Sequence, residues 1–295
     1  MKKFFLVLSI IVSVVVPTFS VNAATNTNNL LGRSRPNTLP EGCQREGIVD
    51  SMFSNDMFLD AIYKSVGYNS IFVPGSNSQL GPYEKRTDLE GITVSDVLNL
   101  KNIEVRNASS VKGMSCFINL ENYGGYRTVT NNYKYFSELK KLKTIRVSYS
   151  VDENVDGLKN VTSLEKFEAF FSNLKNVDGL KNNKKMKKIV VNYSALSDIS
   201  GLSEMTELVD LNFYSTSVRD ISSLQNLPNL ERILLVRTAV EDLSPLVNNQ
   251  FLGEKTTIYL SGSYENSRLV GEVLEKYLDD IETLRSRGIT VSAPF

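Results

Sequence analysis

Residues 198–246 read DISGLSEMTELVDLNFYSTSVR, then DISSLQNLPNLERILLVRTAVE, then DLSPL. Asp198, Asp220 and Asp242 stand 22 residues apart, and each is followed by Ile or Leu, a Ser, and a Leu four places on. The apolar residues keep the same step: Leu202 with Leu224, Met205 with Leu227, Leu208 with Leu230, Leu211 with Ile233, Phe213 with Leu235. A fixed period of this size marks a repeat architecture, in which one unit cannot bury its apolar face alone and stacked units share a continuous core.

With Asp198 as position 1, backward steps of 22 reach Asn176, Asn154, Asn132 and Ser110, and forward steps reach Asp220 and Asp242. All are Asp, Asn or Ser, whose side chains accept hydrogen bonds from free amides where a turn or helix begins. Position 5 holds Met114, Phe136, Leu158, Leu180, Leu202, Leu224 and Leu246, and position 14 holds Tyr123, Ile145, Phe167, Ile189, Leu211 and Ile233. Position 19 is a hydroxyl column (Thr128, Ser150, Ser172, Ser194, Thr216, Thr238), expected to bond the turn backbone. After Leu252 the period slips by three, so that Ile258 and Leu260 take the places expected at 255 and 257.

The flanks are of another kind. Lys2-Lys3, an apolar run from Phe4 to Val16 and Val21-Asn22-Ala23 predict a signal peptide over 1–23, too short an apolar run to span a bilayer. Residues 24–43 are polar and predict a flexible leader. Residues 44–109 lack the period and predict a helical N-terminal cap with a long loop, its second helix at Ile92–Leu100 behind Ser95. The repeats are expected over 110–262. Residues 263–295 predict a C-terminal cap, a helix followed by a strand, because the first and last units each leave an apolar edge to cover. In that helix Leu269, Val270, Val273, Leu274, Tyr277, Leu278, Ile281 and Leu284 fall on one face, with Ser267 at its start and Gly288 at its end.

The cap ending ITVSDVLNL, the repeats of the form LxxLxLxxTxVxDIS and the terminal LRSRGITV together resemble the internalin-type leucine-rich-repeat proteins of Gram-positive bacteria. The resemblance implies an α/β fold: a right-handed curved leucine-rich-repeat solenoid with parallel strands on a concave face, short 3₁₀ segments on the convex face, and helical caps at both ends. It also implies binding of other proteins, often host receptors, through the concave face. The chain shows no LPxTG-like sorting motif and no immunoglobulin-like unit after the repeats, so secretion with at most loose surface association is expected.

Catalytic chemistry finds little support. The chain has no histidine, which removes Ser-His-Asp and Cys-His arrangements and the usual zinc sites. No glycine-rich phosphate loop or metal-spaced carboxylate cluster stands out, so neither a catalytic residue, a metal nor a cofactor is expected. Cys43 and Cys116 either form a disulfide or remain thiols. Residues 134–188 hold 13 basic and 7 acidic residues, and 189–295 hold 8 and 15, a polarity of +6 against −7. Lysines without clustered arginines point away from nucleic acid. Neither a membrane span nor a small-molecule substrate is expected.

The informative columns are those that strand alternation sends to solvent, at positions 12, 13, 15, 17 and 18. Position 18 holds Tyr149, Phe171, Tyr193, Ser215 and Arg237, position 17 holds Tyr126, Phe170 and Tyr214, and Val190 and Leu234 add to position 15. Strands about 4.8 Å apart stack Tyr149, Phe171 and Tyr193 into a band. Exposed contiguous aromatics mark interaction surfaces. Tyr126, Arg146, Tyr149, Lys166, Phe170, Phe171, Lys188, Tyr193 and Tyr214 are therefore the candidate partner-binding residues. The leading expectation is an extracellular protein partner, a host protein in an adhesion or virulence role. The alternative is an envelope-associated structural or regulatory protein that binds wall polymer or a bacterial partner.

Overall fold

The computed structural model describes residues 98–260 and 270–293, with short pieces at 61–62, 65, 72–73 and 84–85. The expected signal peptide, the leader, Cys43, Ser95 and Ser267 lie outside the described residues. Strands β1 (Phe72–Val73) and β2 (Glu84–Lys85) form a small antiparallel pair. All other strands among the described residues belong to one nine-stranded parallel sheet in sequence order: β3 (Asn102–Arg106), β4 (Asn122–Tyr126), β5 (Thr144–Ser148), β6 (Lys166–Phe170), β7 (Lys188–Asn192), β8 (Asp210–Asn212), β9 (Arg232–Leu235), β10 (Thr257–Leu260) and β11 (Thr290–Ser292).

From β4 to β9 the register advances by the expected 22: Tyr123 aligns with Ile145, then Phe167, Ile189, Leu211 and Ile233. Ile258 aligns with Ile233, as the slip of three requires. The sheet also starts one strand earlier than residue 110. Ile103 aligns with Tyr123 at a spacing of 20, and Ile103 and Val105 are buried in the core.

Parallel sheets are usually covered on both faces by their crossovers, and their strands then read as unbroken apolar runs. Here the crossovers pack on one side only, so the strands alternate, except in β7, where Val190 is buried as well. Positions 14 and 16 point into the core, with bulk traded between them: Tyr123 with Gly125, Phe167 with Ala169, Leu211 with Phe213. A Cβ on Gly125 would lie 2.6 Å from Thr128 Oγ1 and 3.1 Å from the Tyr123 hydroxyl, so the large tyrosine requires the small partner.

Each crossover from β3 to β9 contains a 3₁₀ turn, at Met114–Cys116, Lys134–Phe136, Asp156–Leu158, Asp178–Leu180, Ser200–Leu202 and Ser222–Leu224, and between β9 and β10 helix α1 (Ser244–Val247) takes its place. The position-1 residues cap these turns. Asp198, Asp220 and Asp242 accept the amide two residues on at 2.9, 2.8 and 3.0 Å, and Asn154, Asn176 and Ser110 do so at 3.2, 3.3 and 3.1 Å. Asn132 differs. Asn131, Asn132 and Tyr133 are all left-handed (φ 55°, 54° and 62°), and the Asn132 amide donates to Asp152 at 2.7 Å.

Neighbouring turns touch backbone to backbone beside position 4. A Cβ on Gly157 would sit 2.1 Å from the Tyr133 carbonyl, and one on Gly179 2.0 Å from the Val155 carbonyl oxygen.

The hydroxyl column binds locally, with variation. Thr216 and Thr238 donate to the carbonyls of Phe213 and Leu235 at 3.0 and 2.7 Å, and Ser194 accepts the Leu196 amide at 3.3 Å. Cys116, buried in the first turn, is disulfide-bonded.

Helix α2 (Gly271–Ser286) closes the far end, followed by Gly288 (φ 81°) and the edge strand β11. Only part of its apolar residues face the solenoid. Tyr277, Ile281 and Leu284 are buried and Leu274 packs partly, whereas Val270, Val273 and Leu278 are exposed. The described apolar residues span a wider arc than one helix can press against the solenoid end, and Leu269 lies outside the described residues. The guanidinium of Arg287 docks the helix by donating to the carbonyls of Val247, Asn249 and Leu252 at 2.7, 2.6 and 2.8 Å. Among the described residues no helix is long and apolar enough to cross a membrane.

Candidate functional site

From β3 to β9 the chain leaves each strand through a left-handed residue, at position 18 of the repeat. Asn107, Arg127, Tyr149, Phe171, Tyr193, Ser215 and Arg237 all have φ between 51° and 57°. This turn swings the side chain back over the exit end of the strand, beside the position-17 residue of the neighbouring repeat. For an L-residue with a bulky side chain the conformation is unfavourable.

Three consecutive repeats put a ring there. Tyr149 and Phe171 stack with centroids 5.1 Å apart and planes 8° from parallel, and Phe171 and Tyr193 at 4.6 Å and 6°. Tyr126 meets Tyr149 edge-on at 5.4 Å, and Tyr214 meets Tyr193 edge-on at 5.2 Å, so the two position-17 tyrosines close the ends of the stack. Tyr149, Phe171 and Tyr193 remain 44, 45 and 43% exposed. Desolvation, then the neighbouring Tyr214, raises the Tyr193 hydroxyl above the ordinary tyrosine value.

Arginines extend the strip at both ends. Arg127 lies over the rings of Tyr126 and Tyr149 at 5.4 and 5.6 Å, Arg106 over Tyr126 at 5.9 Å, and Arg237 over Tyr214 at 5.8 Å. Neither arginine in column 18 was among the expected site residues. Both were readable by carrying the aromatic column one repeat back to Arg127 and two repeats on, past Ser215, to Arg237.

The structure thus joins Tyr126, Tyr149, Phe171, Tyr193 and Tyr214 in one strip. Phe170 lies beside it under Arg146, whose guanidinium is 5.6 Å from its ring. The expected cations belong to a different arrangement. Arg146 pairs with Glu168 at 3.5 Å, Lys188 with Glu168 at 3.2 Å and Asp210 at 3.5 Å, and Arg232 with Asp210 at 3.8 Å. This zigzag of opposite charges crosses the middle of the solvent face and largely neutralises it. Lys166 is exposed at the entry end of β6, away from the strip, next to Lys188 in register. Val190, expected to face solvent, is 5% exposed, in register between Glu168 and Asn212 of the flanking strands.

A buried polar cluster lies behind this region. Asp152 occupies the position filled by Leu174, Leu196, Val218 and Val240 in later repeats. Its carboxylate accepts from the Thr130 hydroxyl (2.8 Å), the Thr130 amide (3.2 Å), the Asn132 amide (2.7 Å) and the Ser150 hydroxyl (2.7 Å). Among the described residues no group of three or more metal-binding side chains comes together.

Comparison with solved structures bears on the fold. The chain superposes on internalin C2 of Listeria monocytogenes with a TM-score of 0.65 at 15% identity, over 85% of this chain and 98% of that one. A second L. monocytogenes internalin (inlF) gives 0.57 at 22% identity over 73% of this chain and 59% of its own. A leucine-rich-repeat protein of Leptospira interrogans gives 0.52 at 13% identity over 68% and 52%. No protein-family model matches the sequence, and no curated protein matches it. At these identities the likeness concerns architecture: the fold is the leucine-rich-repeat solenoid that internalins display.

Proposed function

We propose that this chain is an exported, non-enzymatic binding protein that recognises another protein, a host protein in an adhesion or virulence role, through its aromatic strip. The observation that carries the reading is the parallel stack of Tyr149, Phe171 and Tyr193. Each ring is more than 40% exposed and each sits on a left-handed backbone. Rings in that conformation oppose the local backbone preference, and a contiguous exposed aromatic band is the composition of an interface core. Residues 1–23, with their basic head, apolar run and Val21-Asn22-Ala23, read as a signal peptide and support export. The fold adds a rigid platform that holds the strip in place.

A second reading, an envelope-associated protein that binds wall polymer or a bacterial partner, draws on the lysine-rich half. Lys159, Lys181 and Lys185 are exposed there, where residues 134–188 carry a net +6.

The test compares the exported chain with a Tyr149→Ser/Phe171→Ser/Tyr193→Ser variant in pull-downs from host-cell extracts and from isolated bacterial walls. Ser215 already occupies the same left-handed column, so serine is compatible with the backbone there. A host protein whose affinity falls at least tenfold on the variant is expected, since central rings carry about 2 kcal/mol or more each. Retention on walls, indifferent to the three substitutions, would select the second reading.

A further inference from the structure

The arrangement of the rings restricts what can sit on them. Tyr149, Phe171 and Tyr193 lie nearly parallel at about the separation of neighbouring strands, so the stack runs across the sheet and the rings cover one another's faces. The two outer faces are closed by Tyr126 with Arg127 at one end and Tyr214 at the other. What remains exposed is a row of ring edges and tyrosine hydroxyls.

Bases, and sugar rings likewise, stack on the faces of aromatic side chains, and here those faces are taken. Ring edges carry the positive end of the aromatic quadrupole. They meet carbonyl and carboxylate oxygens well, and apolar side chains lie across them. Both are features of a polypeptide.

The charge within the two columns is one-sided. From Arg106 to Arg237 columns 17 and 18 contain three arginines (Arg106, Arg127, Arg237) and no Asp or Glu, and Arg106 pairs with Glu104 on its own strand. The nearby carboxylates Glu168 and Asp210 already pair with Arg146, Lys188 and Arg232. Arg127 and Arg237 mark the two ends. Ring-to-ring steps of 5.4, 5.1, 4.6 and 5.2 Å separate Tyr126 from Tyr214. That path of about 20 Å matches about six residues of extended chain at about 3.3 Å each.

From this geometry we infer that the strip docks an extended segment of another protein, about six residues long, apolar in its centre and bearing carboxylates at both ends. The inference rests on the reading of the strip as a binding surface and adds the chemistry of its partner. Apolar side chains lie across the edges of the three stacked rings. Terminal Asp or Glu residues pair with Arg127 and Arg237, which register the segment along the row and speed its approach.

Random peptides of about twelve residues, displayed on phage, are selected on the immobilised full chain and counter-selected on the Tyr149→Ser/Phe171→Ser/Tyr193→Ser variant. The expected winners carry an apolar run bounded by Asp or Glu. A synthetic copy should lose at least tenfold in affinity on the ring variant and at least about threefold on Arg127→Glu/Arg237→Glu. A control with the same change in net charge, Lys112→Glu/Lys255→Glu, should leave its affinity within about twofold. Circular dichroism confirms that each variant is folded. Winners without acidic ends, indifference to the arginine reversals, an equal loss on the control, or no ring-dependent winner at all would each overturn the inference. The reading of the strip as a binding surface fails separately, when a partner from the pull-down binds the ring variant undiminished.

Discussion

Phe171 and Tyr193 stack 4.6 Å apart and 6° from parallel, yet both hold left-handed backbone at φ 51° and 53°. An L-residue in that region costs about 1–2 kcal/mol, so the two together cost about 2–4 kcal/mol, and an aromatic pair returns about 0.5–1.5 kcal/mol beyond its buried area. Stacking therefore offsets only part of the backbone cost. Where the backbone is left-handed and no ring compensates, the cost stands alone. Ser215→Asn, in the same column at φ 56°, is therefore expected to raise stability by up to about 1 kcal/mol, because Asn tolerates this region best among non-glycine residues. Urea unfolding measures it, and a loss of stability would contradict the assigned backbone of the column.

Thr130 and Asp152 face each other 2.8 Å apart at a level of the solenoid where the later repeats are apolar. Asp152→Leu restores the column's residue but strips partners from two amides and two hydroxyls. With each unsatisfied buried group costing about 1–3 kcal/mol, a loss of at least about 3 kcal/mol is expected. Adding Thr130→Val removes one orphaned hydroxyl, so the double variant should be more stable than the sum of the two single effects. Strict additivity in the unfolding free energies would show that the pair is not coupled.

Much of this molecule was readable because its physics repeats. Apolar columns at a period of 22 predicted the register from β4 to β9, and the Asx column predicted the turn caps at every position except Asn132. The aromatic band followed from strand spacing alone. What escaped depended on departures from the period or on neighbours across repeats. Strand β3 sits 20 residues before β4, so stepping by 22 passes over it. The left-handed column was invisible, because Arg127, Tyr149, Phe171 and Tyr193 share no residue type that announces such a backbone. The ion pairs of Arg146 and Lys188 with Glu168, and of Lys188 with Asp210, form across repeats, so spacing along the chain did not announce them. For the terminal helix, spacing placed eight apolar residues on one face, and only the geometry of docking shows that Val270, just before α2, and Val273 and Leu278 on it stay exposed.

The closeness of adjacent turns gives a graded test. Gly179→Ala puts a Cβ against the Val155 carbonyl oxygen at 2.0 Å, a backbone atom that cannot rotate away. Gly201→Ala, at the same position one repeat on, meets nothing nearer than 3.1 Å. Overpacking of the first kind costs about 1–3 kcal/mol or more, and the second should cost less than about 1 kcal/mol. Thermal melts of the two variants should therefore separate clearly, with Gly179→Ala the lower. Equal melting points would mean that neighbouring turns stand further apart than described.

The terminal cap carries a charge lock that responds to acid. Lys276 donates to Asp242, Ser244 and Asp280, each at 2.8 Å, tying α2 to the residue that caps α1. Lys276, and after it the Ser244 hydroxyl, hold the Asp242 carboxyl down to about 2. Lys276 is itself raised above its ordinary value, with Asp242 the largest cause. A carboxyl lowered in the folded state stabilises fully above its unfolded value near 4, and the contribution fades as pH falls from about 4 toward 2. A raised lysine acts in the opposite sense: its contribution is complete below its unfolded value, about 10.4, and fades only as pH climbs through the higher folded one. The lock is thus closed from about pH 4 to about pH 10 and opens on the acid side. Both partners are largely solvent-exposed, so screening keeps the effect modest and salt should weaken it. Amide exchange in Gly271–Ser286, relative to the β5–β8 core, is expected to quicken below pH 4 in the natural chain. It should lose that extra acid dependence in Lys276→Gln and be faster at every pH in Arg287→Ala, which removes three bonds to backbone carbonyls. Acid-quickened exchange that survives Lys276→Gln would place the sensitivity elsewhere in the cap.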